Sequence, residues 1–284
     1  MVNEQEFTIA AETAWCPGCG NFPLRKALSE ALQEMDLKPS QVAIFSGIGQ
    51  AAKVPHYIKT NGFNGLHGRS LPPAIGARVG NHKLKVIVES GDGCTYGEGG
   101  NHILHNIRRN PDLVHLVHDN QIYGLTKGQA SPTSEESIKT GIQVEGTTSE
   151  PFKPIQFAVG MEASFVARSF VGRQDHLKEM IQRAMKHRGY ALIDILQPCV
   201  SFNKINTYQW YDKRVYRLSE DYDPTNLDEA FKKSREWGDN IPIGVIYKNE
   251  KKTFRDRLLL EDDQPLVEKE FESGDADKIM EKFK

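Results

Sequence analysis

The stretch that decides the fold reads KVIVESGDG (residues 85–93), then a helix-like segment, then LVHLVHDNQIYG (residues 113–124). Each piece opens with a short run of branched apolar residues bounded by Gly, Asn or Pro, as a strand buried on both faces of a parallel sheet does. Between them Ile103, Leu104 and Ile107 supply an apolar helix face, Arg108 and Arg109 suit its last turn, and Asn110-Pro111 stops it. The unit is strand, helix, strand, with strands expected over residues 85–89 and 113–117. A parallel crossover returns the carboxyl ends of both strands to one edge of the sheet. Asp92 and Asn120 then face one crevice, either as neighbours about 4.8 Å apart or across one intervening strand.

Mg²⁺ takes near-octahedral oxygen ligation from one or two side chains together with phosphate oxygens and water. Asp92, Asn120 and the backbone carbonyl of Ile122 meet that demand. Gly91 and Gly93 let the backbone approach a diphosphate closely, and a helix starting near Gly97 is expected to turn its N-terminus toward the anion. A lone Gly-Asp-Gly after a strand is equally well an ordinary tight turn. Asn120 at the matching place on the second strand makes it a candidate metal-diphosphate site.

Working outward, a helix opens at Asn21, with Pro23 near its start and Leu24, Leu28, Leu32 and Met35 on one face, and ends before Pro39. A strand over residues 42–45 runs into Ser46-Gly47-Ile48-Gly49, another glycine turn at a strand's carboxyl end, where open α/β sheets bind ligands. Residues 61–73 are rich in Gly, Asn and Pro and read as a loop carrying His67 and Arg69, followed by a short helix over 74–79. Residues 125–150 lose all periodicity, and a loop that long in a compact domain is usually functional; it is expected to cover cofactor or substrate. Helices over 154–161 and 174–188 and strands over 164–167 and 191–196 follow. The alternation predicts an α/β fold with a doubly wound, mostly parallel sheet. Residues 1–205 are read as the site-bearing domain. Residues 206–284, with a helix near 227–237 and a strand near 241–247, are read as an extension packed on that domain or on a partner.

With 284 residues and a net charge of −2, the chain is large enough for a sizeable core and is not a general nucleic-acid binder. No run of about 18 apolar residues occurs, so no membrane span is expected. The first fifteen residues lack a basic segment followed by an apolar core, so no secretory signal is expected and the cytoplasm is the expected location. Acidic residues are missing from residues 37–88, where Lys53 and Arg69 lie just after motif segments, a distribution that attracts anions. Of the four cysteines, Cys16 and Cys19 form a CxxC, while Cys94 and Cys199 lie apart. A CxxC alone is a redox pair, half of a zinc site or part of an iron-sulfur site. Its place after a polar tail disfavours the first, and the lack of a second CxxC disfavours the second.

Two other classes of function compete. Gly47-Ile48-Gly49-Gln50-Ala51-Ala52 matches the G-x-G-x-x-A turn of nicotinamide dehydrogenases. Pro55 in the following helix and the lack of an acidic ribose-binding residue about 20 positions on weaken that reading. A non-catalytic metal or electron-transfer module rests on the cysteines alone.

Six ordered motifs, WCPGCG (15–20), SGIG (46–49), HGR (67–69), SGDG (90–93), DNQIYGLTKGQ (119–129) and LQPCVSFN (196–203), resemble those of the β subunits of 2-oxoacid:ferredoxin oxidoreductases. The resemblance runs from about Trp15 to Asn203. It implies a sheet of the thiamine diphosphate-binding type and CoA-dependent oxidative decarboxylation of a 2-oxoacid to an acyl-CoA and CO₂, with electrons passing to ferredoxin. It also implies that Ile48, Gly49, Gln50, Ala51, Gly91, Gly93, Cys94, Gly124, Leu125 and Thr126 hold the cofactor's diphosphate half. Asp92, Asn120 and Ile122 would hold Mg²⁺, and His67 would touch the cofactor or brace its loop. The remaining histidines named by the sequence, His82, His102, His105, His115 and His118, are read as structural.

Cys16, Cys19 and Cys199 would bind a four-iron four-sulfur (4Fe-4S) cluster. Lys53 is placed by the family pattern to meet the substrate, where a cation suits a dicarboxylate such as 2-oxoglutarate, and Leu125 borders the same pocket. The acid that activates the thiamine ring belongs to an α subunit, so the chain is expected to work only in an αβ or α2β2 assembly, with or without further small subunits. One departure stands out. Many members read SGIGC, with that cysteine on the cluster, where this chain has Gln50. The fourth ligand is left open between Cys94 and a non-cysteine group.

Overall fold

Branched apolar runs become strands buried along nearly their whole length, and the glycine turns fall at their carboxyl ends. The computed structural model describes residues 7–258, 263–270 and 274–283. Its strands are β1 (Val42–Ser46), β2 (Asn61–Asn64), β3 (Lys85–Gly91), β4 (Leu113–Asp119), β5 (Ile122–Tyr123), β6 (Gln129–Ala130), β7 (Phe165–Phe170), β8 (Tyr190–Leu196), β9 (Val215–Arg217) and β10 (Ile241–Lys248). The α-helices are α1 (Asn21–Glu34), α2 (Leu71–Gly80), α3 (Gly100–Arg109), α4 (Pro154–Gly160), α5 (Gln174–Lys186), α6 (Tyr208–Asp212), α7 (Leu227–Ser234) and α8 (Asp275–Glu281).

Eight strands form one sheet in the order β2-β1-β3-β4-β8-β7-β10-β9. The first six run parallel, β10 lies antiparallel to β7, and β9 is parallel to β10. The expected α/β, doubly wound, mostly parallel sheet is therefore what forms. From β1 the chain steps outward to β2 and then returns on the other side of β1 to β3. The loops after β1 and β3 diverge there, opening the crevice in which such sheets bind ligands. β3 and β4 are direct neighbours, so Asp92 and Asn120 end adjacent strands.

Helices cover both faces. On one, Leu24, Leu28 and Leu32 of α1 and Leu177 and Ile181 of α5 pack on Ile44, Ile87 and Ile193. Complete burial of each such leucine contributes roughly 1.5–3 kcal/mol. This anchors α1 and, just ahead of it, the CxxC. Trp15 is pinned in the same core, edge-on to Phe22 at 5.3 Å and to Tyr57 at 4.8 Å. The opposite face packs Leu71, Ala74, Ile103, Ile107, Ile155 and Ala158 against Val86, Val88 and Val117.

Several boundaries differ from the sequence reading. Residues 61–64 are not loop but the edge strand β2, all four exposed, tied to β1 partly by Asn61 Nδ2 donating to the Val42 carbonyl at 3.0 Å. An exposed edge strand has no apolar alternation to reveal it. The helix after Asp92 begins at once, with a π-type turn over Gly93–Glu98, rather than near Gly97. α2 starts three residues earlier than expected, with Pro72 and Pro73 in its first turn, where proline is tolerated. Residues 206 onward supply β9 and β10 to the main sheet, so the extension packs on the domain itself. Residues 1–6 of the segment read for a signal lie outside the described residues. Among the described residues no helix is long and apolar enough to cross a membrane.

Candidate cofactor site and cysteine cavity

The carboxyl ends of β1, β3 and β4 enclose a cavity of about 140 Å³. Its walls are Ile48, Gly49, Gln50 and Ala51 after β1; His67; Gly91, Asp92, Gly93 and Cys94 after β3; and Asn120, Ile122, Tyr123, Gly124, Leu125 and Thr126 after β4. Two glycines shape the cavity in opposite ways. A Cβ on Gly93 would lie 2.2 Å from the Tyr123 ring, whereas one on Gly49, at φ +137°, would meet no atom within 4 Å and would fill space in the cavity. That is the room a diphosphate needs. The β1-side wall comes from the acid-free segment, so it presents no carboxylate to an anion.

Asp92 is 2% exposed. Its Oδ2 accepts from Thr133 Oγ1 at 2.7 Å and from Ser131 Oγ. Burial pushes its carboxyl up to about 6, against the pull of those two hydroxyls. Thr133 Oγ1 also lies 2.7 Å from Asp119 Oδ1. Burial, with the nearby Asp194 and Asp92, raises the Asp119 carboxyl well above the carboxylate range. Asn120 Oδ1 accepts from the Ile122 amide at 3.0 Å, and Gln121, at φ +57°, turns the chain so that its Nε2 donates to the Thr133 carbonyl at 2.9 Å. Residues 131–134 of the long loop thereby clamp the carboxyl ends of β3 and β4. A carboxylate, an amide oxygen and a backbone carbonyl form an all-oxygen donor set, which fits Mg²⁺. His67 braces the rim, its Nε2 2.9 Å from Glu98 Oε2 and its Nδ1 3.2 Å from the Ile48 carbonyl.

A second cavity, of about 50 Å³, adjoins the first and shares Gln50, Asn120 and Gly124 with it. Cys16, Cys19 and Cys199 all line it, with Trp15, Asn21 and Gln197. Ser201 Oγ donates to Cys16 Sγ at 3.0 Å, Gln197 Nε2 to Cys19 Sγ at 3.5 Å, and Trp15 Nε1 to the Gln50 carbonyl at 2.9 Å. Burial raises the Cys19 thiol, and the neighbouring Cys199 and Cys16 add to the rise. Among the described residues no three His, Cys, Asp or Glu side chains close on a metal ion. Three thiols around one cavity, beside buried amide atoms of Asn21, Gln50 and Gln197 that lack partners, fit a larger sulfur-rich group at three of four corners. Cys94 is not the fourth thiol of that cavity. It is buried in the diphosphate cavity, where the Gly68 amide donates to its Sγ at 3.2 Å.

Residues 43–195 match the family model for the C-terminal TPP binding domain of thiamine pyrophosphate enzymes, and residues 199–260 match that for the C-terminal part of the pyruvate ferredoxin oxidoreductase β subunit. The 2-oxoacid:ferredoxin oxidoreductase subunit β of Saccharolobus solfataricus is 46% identical over 249 residues, which cover 83% of this chain and 82% of that one. This chain belongs to the 2-oxoacid:ferredoxin oxidoreductase β-subunit family. The 2-oxoglutarate oxidoreductase subunit KorB of Mycobacterium tuberculosis is 41% identical, over 70% of this chain and 53% of that one. A solved 2-oxoglutarate:ferredoxin oxidoreductase from Magnetococcus marinus, bound to 2-oxoglutarate, coenzyme A and succinyl-CoA, superposes with a TM-score of 0.87 at 31% identity. It covers 99% of this chain and 90% of that one. The fold is thus that of thiamine diphosphate enzymes, the family is one of oxidoreductases, and a β subunit implies an α partner.

In this β subunit every cofactor and Mg²⁺ residue named from the sequence lines the first cavity, and the three cluster cysteines line the second. Lys53 does not reach either wall. It sits on the 3-10 turn Ala51–His56, two residues past Ala51. Sequence reasoning missed Ser131, Thr133 and Asp119 as the supports of Asp92. The only signal was the length of the aperiodic loop. His115 and His118 are structural as expected: His115 is held by Tyr190 and Ser90 at 2.7 and 2.9 Å, and His118 pairs with Glu89 and Asn21 inside the sheet.

Proposed function

We propose that the chain holds the diphosphate half of thiamine diphosphate, with Mg²⁺, and that with an α subunit it carries out CoA-dependent oxidative decarboxylation of a 2-oxoacid, electrons leaving through a 4Fe-4S cluster to ferredoxin. 2-Oxoglutarate is the favoured substrate. The observation that carries the reading is the adjacency of the two cavities, one bordered by Asp92, Asn120 and Ile122 and the other by three thiols, which share Gln50, Asn120 and Gly124. When bound, thiamine diphosphate supplies the nucleophile and electron sink that cleavage of a 2-oxoacid needs.

The chain's own residues anchor and orient. Asp92 and the oxygens of Asn120 and Ile122 would take Mg²⁺, and Thr133 and Ser131 fix the Asp92 carboxylate. Gly49 leaves space for the phosphates and Gly93 makes room for the Tyr123 ring, while Ile48, Tyr123 and Leu125 give the cavity its apolar rim. Among the described residues no acid other than Asp92 lines the cavity, which agrees with the acid that activates the thiamine ring coming from the α subunit. Lys53 remains a substrate-binding proposal, as a cation for the distal carboxylate of 2-oxoglutarate, and Leu125 a pocket-wall proposal.

The test is anaerobic co-purification with the α subunit, followed by ferredoxin or viologen reduction with CoA and a panel of 2-oxoacids. Thiamine diphosphate- and CoA-dependent reduction with 2-oxoglutarate is expected. Nicotinamide-dependent turnover without thiamine diphosphate would overturn the reading. Lys53→Ala is expected to raise the KM for 2-oxoglutarate more than that for pyruvate; equal effects dismiss its role.

A further inference from the structure

Gln50 stands where the two cavities meet. Its backbone is fixed by the segment that carries the CxxC, since Trp15 Nε1 donates to the Gln50 carbonyl at 2.9 Å. Its side-chain Oε1 is buried and has no hydrogen-bond partner among the described residues. A buried amide oxygen left unpaired gives up its hydration with nothing in return, so such a group calls for a partner. The cavity it lines holds three thiols, and the fourth cysteine, Cys94, is committed elsewhere. Two other amides share the wall. Asn21 has a free Nδ2, a donor suited to sulfur, and Gln197 already directs its Nε2 at Cys19 Sγ. Gln197 Oε1 is likewise buried without a partner among the described residues, but that side chain is already tied to Cys19 through its Nε2; Gln50 Oε1 is the unpartnered acceptor on a side chain with no such tie.

We propose that Gln50 Oε1 is the fourth ligand of an iron-sulfur cluster whose other three corners are Cys16, Cys19 and Cys199; this rests on the iron-sulfur reading above. An amide oxygen is a harder and weaker donor to iron than a thiolate. The iron at that corner is consequently the exchangeable one. A one-electron oxidant such as ferricyanide removes it in a balanced step: the iron-oxygen bond to Gln50 breaks, Fe²⁺ leaves the [4Fe-4S]²⁺ cluster, and the remaining [3Fe-4S]⁰ core gives one electron to the oxidant, becoming [3Fe-4S]⁺.

The experiment uses the αβ complex purified anaerobically, as wild type and as Gln50→Cys, Gln50→Ala and Gln197→Ala. Wild type is expected to release one iron to a chelator on oxidation and to show the [3Fe-4S]⁺ EPR signal, while Gln50→Cys keeps all its iron. In ¹⁷O-labelled water the reduced cluster of Gln50→Ala is expected to show a bound-water ENDOR coupling that wild type and Gln197→Ala lack. A water coupling in wild type equal to that of Gln50→Ala overturns the proposal, as does a wild-type cluster that resists oxidation like Gln50→Cys, or iron loss that follows Gln197 instead. Absence of iron and sulfide from every protein, with thiamine diphosphate still bound, would remove the iron-sulfur reading itself.

Discussion

The two cavities differ in how far the protein satisfies its own polar atoms. Around the diphosphate cavity the Asp92 carboxylate is tied to Ser131 and Thr133 of the covering loop, and Asn120 Oδ1 accepts from the Ile122 amide. Around the cysteine cavity Asn21 Nδ2, Gln50 Oε1 and Gln197 Oε1 are buried without partners. The Asp92 carboxylate is preorganised by strand ends and a clamping loop, whereas the cysteine cavity keeps donors and acceptors that no described residue meets. The proposed metal-diphosphate anchor stands on the carboxyl ends of neighbouring strands, and the proposed sulfur site draws mainly on residues 15–21, 50 and 197–202.

The comparison can be broken first at Asp92. Asp92→Asn removes the only carboxylate of the proposed Mg²⁺ set and is expected to weaken Mg²⁺-dependent thiamine diphosphate binding by more than about 100-fold, beyond what loss of a supporting group does. Calorimetric titration of the αβ complex checks this, and near-normal affinity would remove Asp92 from the site. Thr133→Val, which takes away the shared hydroxyl, is expected to cost roughly 10–100-fold in the same titration. It should also lift the Asp92 carboxyl above about 6, because the hydroxyl favours the ionised form.

Acidification gives a graded effect. Mg²⁺ must displace the proton that Asp92 holds up to about pH 6, so Mg²⁺-dependent binding should fall about tenfold per unit below that pH. The sign for stability is the reverse. A carboxyl raised in the folded state binds more protons folded than unfolded between about pH 4 and 6, so in metal-free protein this group favours folding more as pH falls through that window. Magnesium at saturating concentration should cancel the gain.

The smallest expected effect sharpens the other side. Asn21→Ala deletes the free amide donor beside the cysteines. Because hydrogen bonds to the sulfurs are among the influences that set a cluster's potential, the change is expected to lower that potential by a modest amount, with iron content kept. Redox titration reads it, and an unchanged potential would leave Asn21 a packing residue.

Much of this was legible from residues alone. KVIVE and LVHLV could be read as buried strands because both faces of a parallel sheet are covered, and the glycines flanking Asp92 fixed the place of the turn. Gly/Asn-rich β2 was illegible because an exposed edge strand needs no apolar side chains. Ser131 and Thr133 were illegible for another reason: hydroxyls in an aperiodic loop carry no pattern until the fold sets them against Asp92, 39 and 41 residues away. The convergence of Cys199 on the CxxC came only through family resemblance. The structure supplied what neither route gave, namely that Gln50 belongs to both cavities while Cys94 belongs to one.

The central claim is that the two sites are adjacent but separately built, and cofactor content tests it most directly. Thiamine diphosphate, iron and sulfide are measured in anaerobic αβ complexes of wild type, Asp92→Asn and Cys199→Ser. Asp92→Asn is predicted to lose thiamine diphosphate and keep iron and sulfide, and Cys199→Ser to lose iron and sulfide and keep thiamine diphosphate. Joint loss of both cofactors in each variant, or retention of both, would contradict the account.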